Sequence, residues 1–398
     1  MTKIDTARIE EIVASCPEAW EVLHPFIGEL NLKMPLCHCV NFSGIELRAL
    51  QKSLGRVIRR ATDHPCNYDE MRKSLCVPGF VNVAGFAGFL VERPLRRELV
   101  SFAERIGIRL NCTFFSKPHK KPFQNYLARC NSTDDLPDIL IGKGFSSLVS
   151  RRFIDLFLQS GSYRAELEID YRSLFHDAGL VDNQMHYHPF AVEEYVVVHD
   201  TTHPMKFPVP RQWTDLVRPE YHGYITQMGN SNEGHFGSAI LLYLLSQGGI
   251  PMVSRYAANV SERCHFAQIV KRSGDPLYPS SPLKVMHNYA ARMIRSDVRQ
   301  QVHVLTMKDG NPVTPLFVLV KRGATKEVHT VACHLFSMEV ASLLNNFGLI
   351  PARDIQNRKQ PEPSIRWIGW NTFRDGKFPY LKELLSEYAY NAFVPLAN

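Results

Sequence analysis

The sequence predicts an α/β protein with two lobes, preceded by a small α-helical domain. Strand-like and helix-like segments alternate from residue 80 to residue 158, which is typical of a parallel sheet covered by helices. A long β-like run at 191–199 and a second run at 315–321 could carry the chain out to a second lobe and back. The first 75 residues contain short helical patterns instead.

Residues 1–75 form the predicted helical domain. We expect helices at 5–15, 19–23 and 44–60, because apolar residues recur at helical spacing in the last of these. The segment 76–80 contains Pro78 and Gly79 and is typical of a linker.

The first lobe is predicted to begin with a strand–helix–strand–helix–strand unit. Its strands are expected at 80–84, 109–115 and 138–142. Helices are expected at 93–106 and 121–129, with a further long helix ending near residue 158. In sheets of this kind ligands bind at the carboxyl ends of the strands.

The second lobe is predicted between the two long β-like runs. It is expected to contain strands at 224–228 and 301–306 and a helix at 235–247. The chain would then return through 315–321 to a helix at 328–347. The predicted division is therefore 79–195 plus 316–398 for lobe 1 and 196–315 for lobe 2.

Composition indicates a globular protein without a membrane-spanning helix. Hydrophobic residues make up 45% of the 398 residues, and no apolar stretch approaches the roughly 18 residues that a membrane span needs. The net charge of +7 favours an anionic ligand, although a solvated basic surface would give the same charge.

The cellular compartment is predicted from the cysteines and from the first residues. Nine scattered cysteines do not resemble a disulfide framework, so a reducing compartment is expected. The first residues include Glu10 and Glu11 where a secretory signal would have an apolar run. We therefore expect the protein to act in the cytoplasm.

Four passages carry a resemblance to a known family. Residues 213–225 (WTDLVRPEYHGYI) are similar to a segment W-x-D-L-x-x-P-x-Y-x-G-x-I of the type II periplasmic solute-binding proteins of ABC importers. Three further passages follow the family order, namely 137–142 (PDILIG), 308–315 (KDGNPVTP) and 336–341 (FSMEVA) with 347–351 (FGLIP). The chain from about 79 to 395 resembles in particular the iron(III) and small-anion branch.

This resemblance implies a type II periplasmic-binding-protein fold, in which a two-strand hinge joins the lobes and a ligand is clamped between them. It implies that the chain is a solute-binding protein, serving as a carrier or sensor or as an ABC-transporter-type binding protein. Iron-binding members use closely spaced tyrosines in the second lobe. Tyr278 and Tyr289 are separate here, so we do not expect direct iron binding.

Three loops between strand ends and helix starts are candidate ligand sites, because unpaired N–H groups and the helix dipole attract anions there. The alternative is that they are plain turns with capping residues. The candidate ligand-binding residues in these loops are Phe86, Ala87, Lys143, Gly144, Phe145, Ser146, Ser231, Asn232, Gly234 and His235. Weaker candidates from the second lobe and the hinge are Ser281, Asn288, Tyr289 and Thr314.

Cys37, His38 and Cys39 are candidate metal ligands, since thiolates and imidazole suit zinc or iron. Three consecutive residues rarely all reach one ion, so ordinary packing of the helical domain is the alternative. The same domain is a candidate contact for a protein partner.

Two other functions stay open at this point. An enzyme could use the same scaffold, but the sequence contains no P-loop, no G-x-G-x-x-G and no Ser/His/Asp order, so no catalytic residue is assigned. A ligand-responsive regulator is the other alternative. We expect no binding to nucleic acid, because no helix-turn-helix with a basic recognition helix is recognisable.

Overall fold

The computed structural model of the protein describes most of the chain, including the two lobes and most of the helical region. The described residues are 7–26, 29–30, 32–34, 36, 42–115, 120–144, 146–164, 167–229, 238–278, 280–355, 364–375, 380–381, 383–385 and 387.

The N-terminal region is helical, as predicted. Its helices are α1 (Ile9–Ser15), α2 (Trp20–Leu23), α3 (Gly44–Asp63) and α4 (Tyr68–Leu75), with 3-10 turns at Pro17–Ala19 and His24–Phe26. Ser43 begins α3 by accepting the N–H of Glu46, while the Glu46 carboxylate accepts the N–H of Ser43. Buried residues of α1, α2 and α3 form one apolar cluster.

Lobe 1 contains a parallel sheet flanked by helices. Its first strands are β1 (Val81–Gly85), β2 (Leu110–Phe114) and β3 (Ile139–Lys143), and β1 lies between the other two. The helices that follow them are α5 (Phe89–Arg105), α6 (Lys120–Arg129), α7 (Arg151–Phe153) with a π-helical turn (Ile154–Leu158), and α8 (Ser173–Asp177).

Two long antiparallel strands form the hinge between the lobes. They are β4 (His188–Asp200) and β9 (Asn311–Val320), both rich in buried β-branched residues. The first half of β4 pairs with β9, and β9 pairs with β3 in lobe 1. The second half of β4 pairs with β7 in lobe 2, so one sheet runs through both lobes in the order β2-β1-β3-β9-β4-β7-β5-β6.

Lobe 2 repeats the parallel arrangement. Its strands are β5 (Ile225–Met228), β6 (Val260–Cys264), β7 (Leu283–His287) and β8 (Val302–Val304). Its helices are α9 (Ser238–Asn259), which is interrupted at Gly248 and Gly249, α10 (Phe266–Arg272) and α11 (Asn288–Arg292), with 3-10 turns at Trp213–Val217, Pro219–Tyr221 and Ser296–Gln301.

After β9 the chain packs again on lobe 1. The elements are α12 (Lys326–His334), α13 (Met338–Asn346), β10 (Ile350–Pro351), β11 (Ile365–Arg366) and α14 (Trp370–Arg374). The described residues between 380 and 387 are helical as well. Within the described part of the chain no helix is long and apolar enough to cross a membrane.

The structure confirms the predicted α/β architecture and corrects several elements. The single helix predicted at 328–347 is two helices, because the Ser337 hydroxyl accepts the N–H of Val340 and starts α13 anew. The long helix predicted to end near 158 is a 3-10 turn, α7 and a π-helical turn. Strands β6 and β7 were not predicted.

Candidate functional site

The ends of strands from both lobes meet beside the hinge. Strands β1 and β3 end at Gly85 and Lys143 in lobe 1, and β7 ends at His287 in lobe 2. The hinge strands lie between them, with Glu193 of β4 opposite Thr314 of β9. We call this group of strand ends and hinge residues the cleft.

A chain of charged and polar groups crosses the cleft. The ammonium of Lys143 donates to the carboxylate of Glu193 at 2.8 Å. Oε2 of that carboxylate, which also lies 2.8 Å from Nζ of Lys143, is 3.4 Å from Nδ1 of His287. The chain therefore joins lobe 1, the hinge and lobe 2 through three side chains.

Burial and neighbouring charges determine the ionisation of Glu193 and His287. Burial lowers the pKa of His287 to about 4, although the neighbouring Glu193 carboxylate acts in the opposite direction. Burial also acts to raise the pKa of Glu193, but His287 and Lys143 outweigh it and the pKa is lowered. At neutral pH the carboxyl group of Glu193 is thus ionised and the imidazole of His287 is uncharged.

Two aromatic rings flank His287. The ring of Tyr195 lies 3.9 Å from the imidazole, and the ring of Tyr289 stacks on it at 5.4 Å. Burial raises the pKa of both tyrosines well above the ordinary value of a phenol. Both side chains are therefore neutral phenols rather than anionic ligands.

A second carboxylate is fixed next to the first. Glu194 accepts a hydrogen bond from the amide of Asn288 at 2.6 Å and another from Asn311 at 3.1 Å. Asn288 begins α11 and Asn311 begins β9, so Glu194 ties lobe 2 to both hinge strands. This carboxylate is held by amide dipoles, which stabilise its charge.

The loop after β3 approaches the hinge closely. Gly144 has a φ of +53°, and a Cβ on it would lie 2.5 Å from Cγ2 of Thr314. The hydroxyl of Ser146 is buried and has no hydrogen-bond partner among the described residues. An unpaired buried hydroxyl is costly, so Ser146 remains a candidate for contact with a ligand.

The loop after β1 is already occupied by a protein carboxylate. Phe86 donates its N–H to Ile141 at 3.1 Å, and the N–H groups of Ala87 and Gly88 interact with the Glu92 carboxylate. Gly88 also leaves space for the side chain of Lys143, because a Cβ at position 88 would lie 3.0 Å from its Nζ. Phe86 and Ala87 therefore shape the cleft rather than offer free donors.

Apart from Phe86, Ala87 and Ser146, the predicted site residues fall into three groups. Lys143, Gly144, Thr314, Asn288 and Tyr289 lie in the cleft or directly against it. Ser281 lies at the far end of β7, where its hydroxyl contacts Ser261 at 2.6 Å, so the structure does not bring it to the cleft. The predictions that lie outside the described residues are Phe145, Ser231, Asn232, Gly234, His235, Cys37, His38 and Cys39.

Sequence reasoning missed the two groups that complete the charged chain. Glu193 and Glu194 lie inside an otherwise apolar β-like run, and two carboxylates within such a run are a signal that could have been used. His287 was missed because β7 was missed. Among the described residues no group of three or more His, Cys, Asp or Glu side chains could hold a metal ion.

A family of known proteins matches the part of the chain that contains this cleft. The family, described as bacterial extracellular solute-binding protein, matches residues 134–375, which is more than half of the chain. All four passages that carry the sequence resemblance lie within this range. A search of curated proteins finds no match.

Solved structures of ferric-binding proteins have the same fold. Iron-bound HitA from Pseudomonas aeruginosa is 11% identical, with a TM-score of 0.55 over 76% of this chain and 97% of its own. Apo ferric ion-binding protein A from Pasteurella haemolytica is 12% identical, with a TM-score of 0.55 over 79% and 98%. The ferric binding protein from Campylobacter jejuni is 12% identical, with a TM-score of 0.54 over 76% and 97%. At such identities the likeness concerns the fold alone, and it confirms the predicted two-lobed type II architecture.

Proposed function

Since this chain belongs to the bacterial extracellular solute-binding proteins, we propose that it clamps a small anionic ligand in the cleft, between lobe 1 and lobe 2. The observation that carries the proposal is the position of Lys143. This residue projects from the end of β3 toward the hinge, and its side chain keeps 26% exposure. A partly exposed ammonium between two lobes is a natural contact for a ligand carboxylate or phosphate.

The free hydrogen-bonding capacity around Lys143 supports an anion. An ammonium has three N–H donors, and among the described residues the carboxylate that lies within 4.0 Å of Lys143 is that of Glu193. The Ser146 hydroxyl adds a further donor on the same lobe. The role of Glu193 in this proposal is to orient the ammonium before the ligand arrives.

Direct binding of iron(III) is not favoured by the described residues of the cleft. The solved relatives include ferric-binding proteins, and iron(III) is a hard ion that needs anionic oxygen ligands. Tyr278 and Tyr289 are eleven positions apart in the sequence and do not form the closely spaced tyrosine pair of iron-binding members. Glu193 and Glu194 are already held by Lys143 and by two amides.

Closure about β4 and β9 would bury the ligand. Lobe 1 supplies Lys143 and Ser146, and lobe 2 supplies the face formed by His287 and Tyr289. A ligand that touches both faces binds the closed state better than the open one and so shifts the population toward closure. The division into 79–195 plus 316–398 for lobe 1 and 196–315 for lobe 2 is part of this proposal, except that Leu381 and Leu385 pack in the core of lobe 2.

We propose a cytoplasmic role as a carrier or sensor, or as an ABC-transporter-type binding protein. The cysteines support a reducing compartment, since the seven described ones are all unpaired. The helical region would supply the contact to a protein partner.

Native mass spectrometry tests the ligand directly. We expect purified protein to be heavier in its native state than after denaturation, by the mass of one small molecule. Lys143→Gln should lose most of this excess. Lys321→Gln is the matched control, because Lys321 lies 4.0 Å from Asp138 and outside the cleft.

The outcomes separate the alternatives. If both lysine variants lose the mass excess equally, or if Lys143→Gln keeps it, the result would contradict a ligand at Lys143. A mass excess equal to one metal ion would contradict the anion proposal and point to a metal-binding cleft or to the Cys37–Cys39 segment.

A further inference from the structure

The helical residues between 380 and 387, which we call the strap, have two different faces. Tyr380, Glu383, Leu384 and Glu387 are spaced three or four residues apart and share one face. Leu381 and Leu385 are four apart and share another. The two faces contact different parts of the molecule.

The first face is attached to the N-terminal helical region. Tyr380 packs edge-on against Phe26 with ring centroids 4.9 Å apart, and Leu384 joins the same apolar cluster. The carboxylate of Glu383 lies 2.9 Å from the guanidinium of Arg56, and Glu387 pairs with Lys52. Both strap carboxylates are buried, so these pairs anchor the strap on α3.

The second face is attached to lobe 2. Leu385 is 1% exposed and belongs to the core cluster of lobe 2, together with Trp213, Tyr256 and Leu283. Leu381 packs at the edge of the same cluster. The strap therefore contributes part of the lobe 2 core, although it lies far beyond the return strand β9 in sequence.

The helical region is itself fixed to lobe 1. Arg129 of α6 donates to Glu18 at 2.7 Å, and the amide of Asn125 donates to the carbonyls of Arg60 and His64. The buried Glu21 carboxylate accepts the Ser147 hydroxyl at 3.0 Å and pairs with Arg60 at 2.6 Å. Lobe 1 and the helical region are thus joined by a buried polar interface.

These contacts connect lobe 1 to lobe 2 by a route other than the hinge strands. We propose that the strap is a latch that restrains opening of the cleft. Lobe 1 holds the helical region, the helical region holds the strap, and the strap holds lobe 2. Bending of β4 and β9 that separates the lobes must therefore break the contacts on one face of the strap.

The contacts indicate which face of the strap detaches when the cleft opens. The face toward the helical region combines two ion pairs of buried carboxylates with an aromatic contact, whereas the face toward lobe 2 is formed by two leucines. Apolar contacts are non-directional and can be broken and remade without leaving an unpaired charge. The strap is expected to stay with the helical region while lobe 2 moves away.

Hydrogen exchange measures this opening without any ligand. In Leu381→Ala/Leu385→Ala we expect amide exchange at Lys143–Gly144 and at His287–Asn288 to become on the order of tenfold faster or more, because truncating buried leucines removes apolar contacts. The radius of gyration from X-ray scattering should increase in parallel. Leu344→Ala is the matched control: it removes a fully buried leucine from lobe 1 and should leave exchange in the cleft near the wild-type rate.

A second variant keeps the proposal testable if the double leucine variant fails to fold. Glu383→Gln/Glu387→Gln weakens the other face of the strap and leaves the lobe 2 core intact. It should also accelerate exchange on both sides of the cleft. Wild-type exchange in the cleft of either folded strap variant, or an equal acceleration in Leu344→Ala, would overturn the latch.

Discussion

At the scale of single residues, the cleft depends on how charge is buried. Glu193 is deep in a β-strand, where an unpaired carboxylate would be strongly destabilising. Lys143 compensates its charge, and His287 stays neutral chiefly because burial lowers the pKa of its imidazole, with the charge of Lys143 acting in the same direction. The neighbours that face His287 are Glu193, Lys143, Tyr195 and Tyr289.

His287 should make the stability of the protein depend on pH. Its pKa falls from an ordinary 6.5 to about 4 on folding, so the unfolded chain binds a proton that the folded chain rejects between these values. The free energy of unfolding should therefore decrease as the pH falls from 6.5 to 4. At 1.36 kcal/mol per pH unit, His287 alone accounts for about 3 kcal/mol of that decrease.

Urea unfolding of the wild type and of His287→Gln at several pH values checks this prediction. The variant should lose less stability between pH 6.5 and pH 4, since glutamine does not titrate. Other histidines with a lowered pKa, such as the half-buried His199 and His203, titrate in both proteins and cancel in the comparison. Parallel pH profiles would show that His287 titrates equally in the folded and unfolded states.

At the scale of elements, the loop after β3 is positioned by one close approach. Gly144 adopts a left-handed conformation and lies against the methyl group of Thr314 on the hinge. The loop passes from there to Ser147, whose hydroxyl is held by Glu21 of the helical region. Both ends of this candidate ligand loop are therefore fixed by other elements.

Gly144→Ala should lower the free energy of unfolding by about 3 kcal/mol, because it adds a left-handed backbone penalty to a clash with Thr314. The double variant Gly144→Ala/Thr314→Ser lacks the clashing methyl group and keeps the hydroxyl of residue 314. The double variant should recover the steric part and retain a loss of about 1–2 kcal/mol from the backbone. Urea unfolding of both variants measures the two parts, and a double variant no more stable than the single one would contradict this contact.

Strand β7 shows where prediction from the sequence stops. Its pattern, Leu-Lys-Val-Met-His, has a lysine at the second position and does not resemble a buried strand. Lys284 is nevertheless fully buried, because Asp200 pairs with it at 2.5 Å from 84 residues away. The sequence patterns located lobe 1 and the hinge, where strands are apolar. They could not locate an element that depends on a distant ion pair.

The same limit applies to the cleft. Lys143 and the loop after β3 were predicted, because loops at the ends of parallel strands are ordinary ligand sites. The pairing of Lys143 with Glu193 joins residues 50 positions apart and depends on the order of strands in the sheet. Similarly, Ser281 is a predicted ligand-binding residue, but it lies just before the first residue of β7, at the end of the strand away from the cleft.

At the scale of the whole molecule, the two lobes are joined at several places. Strands β4 and β9 form the hinge, Arg292 of α11 donates to the carbonyl of Asn345 of α13 at 2.8 Å, and the strap adds a connection through the helical region. The hinge permits bending because each strand pairs with different neighbours in its two halves. A bound ligand and the strap would then both stabilise the closed arrangement of the two lobes.

Removal of the bound ligand should therefore change both the size and the stability of the protein. We expect protein freed of small molecules by unfolding and refolding to have a larger radius of gyration and a lower melting temperature than freshly purified protein. A ligand at 100 times its Kd stabilises the folded state by about 2.7 kcal/mol, which melting curves detect readily. Lys143→Gln should show the ligand-free values before and after this treatment, because it has no ligand to lose. A wild type whose radius of gyration is unchanged while its melting temperature falls would bind its ligand without closing, and the strap would then hold the lobes together whether or not the cleft is filled.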